Sequence, residues 1–504
     1  ATFDLLCRAD TVGTFQVESR AQMATLPIMR PKNFYDLVIE VALIRPGPIV
    51  GDLVHPYLNR RNGREPVDCI HPDFQPVLER TLGVPLFQEQ VLRMAMIIAG
   101  FDGAEADELR RAMAFKRSDQ RMENISRKLI LRMSERNIDI TVQKKVVKSI
   151  GSFALYGFPE SHSISFALIA YASCWLKAHH PAEFFAGLIN NQPLGFYSVA
   201  TLLRDARRHG IRARPVSVLH SAGETLVLDD QTLRLGLQRL KNLSTATTGR
   251  LVDTRSHAQF TSLPDFLRRV QPNRKERRLL AAAGALNDLP EVEHRRDGLW
   301  QVEMDPQEDL FDRSRVSAET HPAKDPSACT PPQDNRQSAT PLIRMTALER
   351  LSSDYATQGH TTGPHPMSLL RKAWAVENQR PSAKASPGIP PSSFRNGTLL
   401  RASDFPTIPH GQQITCAGLV ICRQRPGTAK GHCFISLEDE TGIANLFIPR
   451  DTFHHYQPVI TTERFLLCHG RMQTGEGNLH TLYTTAVEPL SFPSDLHTHS
   501  HDFH

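Results

Sequence analysis

Several arrangements that would mark an enzyme are missing from this chain. Its 504 residues contain no Asp-x-Asp, no GxSxG and no P-loop. Two-metal chemistry on phosphates needs carboxylates that hold ions about 3.5–4 Å apart, commonly as Asp-x-Asp on a strand. The nearest cluster, Glu438-Asp439-Glu440 before Thr441-Gly442, reads as a turn. The eight cysteines include no CxxC pair, which excludes a zinc knuckle and a disulfide framework. Reduced thiols point to a cytosolic protein. No basic-then-apolar leader opens the chain. The most apolar helix candidate, Ser163 to His180, carries Ser165, Ser173 and Lys177. That composition predicts a buried globular helix and no membrane partner. The chain opens on Ala1 rather than Met, as expected of a fragment.

What is present is 40% hydrophobic residues, enough for packed cores. At roughly 100–200 residues per domain, about three to four domains are expected. The balance of 59 Lys+Arg against 53 Asp+Glu leaves +6, a weak hint of nucleic acid as a chain average. Its distribution says more. Between Leu109 and Arg136, nine basic residues face three acidic ones, a local +6. Guanidinium forks there suit phosphate, and a solvated helix face has the same composition.

The pattern predicts a multidomain α+β chain. Residues 1–195 are mostly helical, with helices over Gln88–Ala99, Gly103–Phe115, Gln120–Glu135 and Thr141–Ile150. Residues 196–300 form a small mixed α/β region with a hairpin around Glu224–Gly236. Residues 301–400 read as a flexible linker, Pro- and Ser-rich over Asp312–Thr340 and Asn378–Asn396, around a helical island at Pro341–Ala375. Residues 405–490 return to period-2 alternation. Strands at Gln413–Arg423, Cys433–Leu437, Ile443–Ile448, Phe465–Arg471 and Leu479–Val487, with a helix at Arg450–Tyr456, spell an OB-fold β-barrel. Residues 491–504 are a polar, flexible tail.

Gly157-Phe158-Pro159-Glu160-Ser161-His162-Ser163 precedes the apolar helix and suits either an anion or an N-cap by Ser161 or Ser163. Arg423 to Gly431 is a basic loop of the barrel, with Arg423, Arg425 and Lys430 as backbone contacts. Phe434, Phe447 and Tyr483 are stacking candidates or core. Cys416, Cys422, Cys433 and Cys468 sit at strand positions and are expected to be buried. Gln307-Glu308-Asp309-Leu310-Phe311 suits an extended segment docking an apolar pocket, or a frayed helix end.

Five runs, in order and spacing, resemble the fingers of bacterial C-family DNA polymerases, the DnaE-type alpha subunits of polymerase III. They are Asp10–Arg20, Ala42–Pro48, Phe87–Gln90, Leu109–Met113 and Tyr156–Ser163. Asn190–Ser198, Arg423–Gly431, Leu437–Gly442 and the terminal Asp502-Phe503-His504 resemble the error-prone branch. The resemblance implies that Arg110, Arg111 and Lys116 meet the incoming triphosphate, with Arg45, Gln88 and His162 on the same surface. It implies duplex and clamp binding around residues 200–290, and a sliding-clamp peptide at Gln307, Leu310 and Phe311. Lys241 lies in the run matching the helix-hairpin-helix, whose usual Gly-x-Gly is replaced by Asn242 and Ser244. The family's three palm aspartates would lie before residue 1, so this reading expects the C-terminal half of the enzyme. It therefore expects no catalytic carboxylate and no metal ligand in this chain, with Mg²⁺ held elsewhere in the complete enzyme.

The expected function is part of an error-prone polymerase in translesion synthesis and damage-induced repair, located in the bacterial cytoplasm. Its partners would be primer-template DNA, single-stranded template, deoxynucleoside triphosphates, the sliding clamp and other translesion proteins. The alternative is a non-catalytic single-strand DNA- and clamp-binding protein from a truncated polymerase gene.

Overall fold

The computed structural model describes residues 1–44, 51–114, 119–154, 158–195, 197–304, 342–377, 399–425, 429–475, 479–490 and 501–503. Arg45, Lys116, Gln307, Leu310 and Phe311 lie outside the described residues, as do the two Pro- and Ser-rich stretches and most of the tail. One compact unit is built on residues 1–184, the other on 185–425, 432–472 and 482–504.

The first unit is helical: α1 (Thr2–Cys7), α2 (Arg20–Met29), α3 (Phe34–Leu43), α4 (Gly51–Arg61), α5 (Gln75–Leu78), α6 (Gln88–Ala99), α7 (Gly103–Ala114), α8 (Asp119–Glu135), α9 (Ile140–Ala154) and α10 (Glu160–His179). Each expected helix is present within a few residues. Gly100 ends α6 in the left-handed region at φ 64°, where a side chain is strained. Two cores form. One packs α3 on α10 through Leu37, Val38, Val41, Ala167, Ala170 and Cys174. The other joins α6 to α9 through Met94, Leu109, Leu129, Met133 and Ile150.

Helix α10 departs from its expected full burial. Ser163, Ala167, Ala170, Cys174 and Lys177 face inward at spacings of three and four. Ile164, Leu168, Ile169, Trp175 and Leu176 are exposed. The inward Lys177 ammonium binds the Asp10 carboxylate and the Val12 carbonyl. No helix among the described residues is long and apolar enough to cross a membrane.

The second unit begins with α11 (Pro181–Asn190), which straddles the boundary, and α12 (Val199–Arg208). A small sheet follows in the order β1-β3-β2, from β1 (Arg212–Arg214), β2 (Leu226–Asp229) and β3 (Thr232–Arg234). Helices α13 (Thr245–His257), α14 (Leu263–Val270) and α15 (Arg274–Ala283) start on Ser244, Ser262 and Asn273. Each of these side chains accepts an N-terminal amide that the helix leaves unpaired. Next come α16 (Arg295–Glu303), α17 (Ala347–Gln358) and α18 (Pro366–Glu377).

The barrel is closed. Strands β5 (Gln413–Gln424), β6 (Cys433–Glu438), β7 (Ile443–Ile448), β9 (Leu479–Pro489) and β8 (Phe465–Gly475) run in that order, and β5 pairs with β8. The short β4 (Leu399–Leu400) and β10 (His501–Phe503) pair parallel with β5. Helix α19 (Arg450–Thr462) plugs the barrel with Phe453 and Ile460. Five closed strands with a helix after the third match the expected OB-fold. The outer face of β5 and β8 is buried too, under Leu351, Tyr355, Met367, Leu370 and Trp374 of α17 and α18. The expected helical island is thus the layer that packs on the barrel. Double-sided burial explains why Ile414–Cys422 is almost continuously apolar.

Candidate nucleic-acid and nucleotide interface

The charges on α7 and α8 are partly committed within the helices. Asp107 takes both Arg110, at 2.7 Å, and Arg111, at 2.6 Å. Hydrogen bonding from Arg110 is the main reason the Asp107 carboxyl sits below its usual range. Arg127 pairs with Glu123, while Lys128 and Arg132 share Glu105. The Arg136 guanidinium caps the Ile97 carbonyl. Arg110 and Arg111 still leave half and two thirds of their side chains exposed. They form a fixed pair of forks held from below by one carboxylate.

The start of α10 is brought against α6. The Gln88 amide donates to the Phe158 carbonyl at 2.9 Å, so Gln88 and the segment carrying His162 lie together. His162 is exposed and sits between the rings of Phe158 and Phe166, at 5.3 and 4.3 Å. Neither Ser161 nor Ser163 caps the helix. Pro159 is the N-cap residue, and the Ser163 hydroxyl turns into the core to donate to Val38. The anion at this helix N-terminus is internal: the Glu160 amide donates to the Glu89 carboxylate at 2.8 Å. The Tyr35 hydroxyl donates to Glu160 at 2.6 Å. Burial, and then that carboxylate, push the Tyr35 hydroxyl well above its usual range.

The helix-hairpin-helix run folds without its glycines. Asn242 takes φ 67°, a left-handed position that asparagine tolerates better than most side chains. The neighbouring donors are occupied. The Lys241 amide donates to the Thr357 carbonyl at 2.8 Å and its ammonium to the Tyr355 carbonyl. The Ser244 amide donates to the buried Glu276 carboxylate, which also accepts from Thr247 and Asn273. Lys241, expected as a DNA contact, is therefore spent on the last turn of α17.

On the barrel the stacking candidates are sorted by strand alternation. Phe434 on β6, Phe447 on β7 and Tyr483 on β9 are half-buried, and none belongs to the barrel core. Ring centroids are 5.5 Å apart for Phe434–Phe447 and 5.7 Å for Phe447–Tyr483. Their neighbours Cys433, Ile435, Leu446, Ile448 and Leu482 point inward. The result is an outward aromatic row across three adjacent strands. Sequence reading missed His432, whose ring lies 5.0 Å from Phe447. Lys430 is exposed, and Arg425 lies over the Phe453 ring at 4.4 Å. Arg423 is tied down, donating to the carbonyls of Ile460 and Glu463 at the end of α19. Cys416, Cys433 and Cys468 are buried, and burial pushes the Cys416 thiol up to about 12.

The acidic cluster at 438–440 does not fit a divalent ion. Asp439 accepts from the amides of Ala402, Thr441 and Gly442, and Glu440 pairs with Arg371 and Arg401. Glu438 is fully buried against Arg204. No catalytic step is therefore assigned to a metal held there.

Residues 1–137 match the bacterial DNA polymerase III alpha subunit finger domain. The chain carries a DnaE-type finger domain. Residues 210–297 match a helix-hairpin-helix motif. Over its whole length it is 40% identical to an error-prone DNA polymerase of Anaeromyxobacter dehalogenans (strain 2CP-1), of which it covers 41%. It is 41% identical to that of Azoarcus sp. (strain BH72), covering 45%, and 40% to that of Teredinibacter turnerae, covering 46%. The chain thus spans less than half the length of the curated relatives it matches. A crystal structure of asparaginyl-tRNA synthetase from Pyrococcus horikoshii overlaps 19% of this chain and 23% of its own at 17% identity. Its TM-score of 0.17 carries no argument.

Proposed function

We propose that this chain is the part of an error-prone DNA polymerase that contacts the incoming nucleotide and the template strand. The observation that carries the reading is the outward row Phe434, Phe447 and Tyr483 on a closed barrel, in a chain whose first 137 residues match a polymerase finger domain. Every nucleobase has a π-face, so a row of rings holds single strands with little sequence preference. Such tolerance suits synthesis across damaged template. Arg110 and Arg111 would take the triphosphate, with Gln88 and His162 beside it. Arg425 and Lys430 would steer the strand's backbone. Mg²⁺ in the complete enzyme would promote phosphoryl transfer to the primer 3′-hydroxyl. The cellular setting would be damage tolerance in the bacterial cytoplasm.

Stacking is worth about 1–3 kcal/mol per base, and about 1.4 kcal/mol is tenfold in affinity. Phe447→Ala is therefore expected to weaken binding of a labelled oligo(dT) on the order of tenfold by fluorescence anisotropy. An unchanged affinity would remove the barrel face from the reading.

Tethering by the sliding clamp completes the proposal. Gln307 would supply the polar contact of an extended peptide, and Leu310 and Phe311 its apolar anchor. Leu310→Ala with Phe311→Ala is expected to abolish clamp capture in a pull-down while leaving oligonucleotide affinity intact. Undiminished capture would place the clamp site elsewhere.

A further inference from the structure

His432 directly precedes β6, next to the aromatic row, and its ring is held in a defined orientation. Its Nδ1 accepts the backbone N–H of Arg450 at 3.0 Å. Arg450 is the first residue of α19, whose N-cap residue, Pro449, offers no side-chain acceptor. A ring from the residue just ahead of β6 therefore satisfies a donor that the helix leaves unpaired. With Nδ1 accepting, the neutral imidazole carries its proton on Nε2. That Nε2–H has no partner among the described residues. The ring is half-buried and lies 5.0 Å from Phe447, tilted by 43°. The Arg450 side chain beside it is exposed.

We propose that His432 is the polar end of the single-strand platform: it stacks in line with Phe447 and donates its Nε2–H to an oxygen of the bound strand. Two oxygens share the required chemistry, a base carbonyl and a backbone phosphate. The proposal rests on the reading of the aromatic row as a single-strand site. It adds the one oriented hydrogen-bond donor in a row whose other rings offer faces and, at Tyr483, a hydroxyl.

Two variants separate the contributions. His432→Phe keeps a ring and loses both hydrogen bonds. His432→Asn places a carbonyl oxygen near the Nδ1 position, so the helix cap is kept while the ring and the N–H at the Nε2 position are lost. Each is titrated as the full chain against labelled oligo(dT) and against an abasic oligonucleotide of equal length, with thermal melting as the folding control. His432→Asn is expected to melt like the parent and bind oligo(dT) about tenfold more weakly, as for loss of one stacked base. His432→Phe is expected to lose about threefold to tenfold, the range of one hydrogen bond. A His432→Phe loss confined to oligo(dT) assigns the oxygen to a base, and a loss on both oligonucleotides assigns it to phosphate. Parental affinity in His432→Asn overturns the proposal. If the parent chain binds neither oligonucleotide, the platform reading itself fails.

Discussion

Replacing Arg204 by methionine is expected to destabilise the chain by about 3–5 kcal/mol, the usual cost of leaving a buried charge without its partner. The Arg204 guanidinium reaches the Glu438 carboxylate at 3.3 Å and the Tyr355 hydroxyl at 3.1 Å. Glu438 is completely buried, and its Oε1 has no hydrogen-bond partner. Burial raises the Glu438 pKa above its ordinary value, and Arg204 works against that rise. A carboxyl whose folded pKa is raised favours the fold when protonated, and that contribution is lost as pH rises through the folded pKa. Without Arg204 the pKa climbs further. The variant should therefore be nearest the parent in mildly acidic buffer and lose most above neutrality. Adding Glu438→Gln should recover most of the loss, because the stranded charge is gone. Denaturant titrations of the three proteins at two pH values test this. A single variant within about 1 kcal/mol of the parent at both would mean that water reaches the pair.

That pair also marks the limit of what could be read from the chain alone. Helices α6 and α7 and the five barrel strands were legible because apolar period and punctuation act locally. The left-handed stop at Gly100 and the capping residues Ser244 and Asn273 are one-residue signals with a direct backbone cause. The layer formed by α17 and α18 was not legible in the same way. Flanked by Pro- and Ser-rich runs, it reads as an island, yet Tyr355, Leu370 and Trp374 cover the back of the barrel. Its amphipathic pattern fits many apolar surfaces and does not name the one it meets.

The candidate site divides in a similar way. Alternation along β6, β7 and β9 predicts which residues share a face, and the row Phe434, Phe447, Tyr483 follows from it. It does not say which face is inward for an isolated ring, so core and platform stayed open until the strands were paired. Cations were harder. Arg423, from its basic loop, and Lys241, from the resemblance to the helix-hairpin-helix, read as backbone contacts, but both bind carbonyls at helix C-termini distant in sequence. A helix end that attracts a cation is invisible until the fold brings the two together. The same holds for Glu89, which supplies from α6 the anion expected of a ligand at α10.

The second large effect is expected on the nucleotide side. If the proposed function holds, Arg110→Ala with Arg111→Ala in the full-length enzyme should lower kcat/KM for deoxynucleoside triphosphate on the order of 10²- to 10³-fold, the scale of losing a charge-stabilising donor. The structural ground is that one carboxylate, Asp107, fixes both guanidinium forks while their outer edges stay exposed. Forks held this way lose little further freedom on meeting phosphate oxygens. Arg127 is the internal control. It is equally exposed and paired with Glu123 one helix further on, so Arg127→Ala should change kcat/KM less than about threefold if charge alone is not the cause. A general DNA-binding role for the pair would look different: primer-template affinity would fall, its salt dependence would flatten, and the KM for nucleotide would stay put. Loss of DNA affinity with unchanged nucleotide kinetics would move Arg110 and Arg111 from the triphosphate to the duplex. The basic window would then be a DNA-binding face of the finger domain and not a nucleotide site.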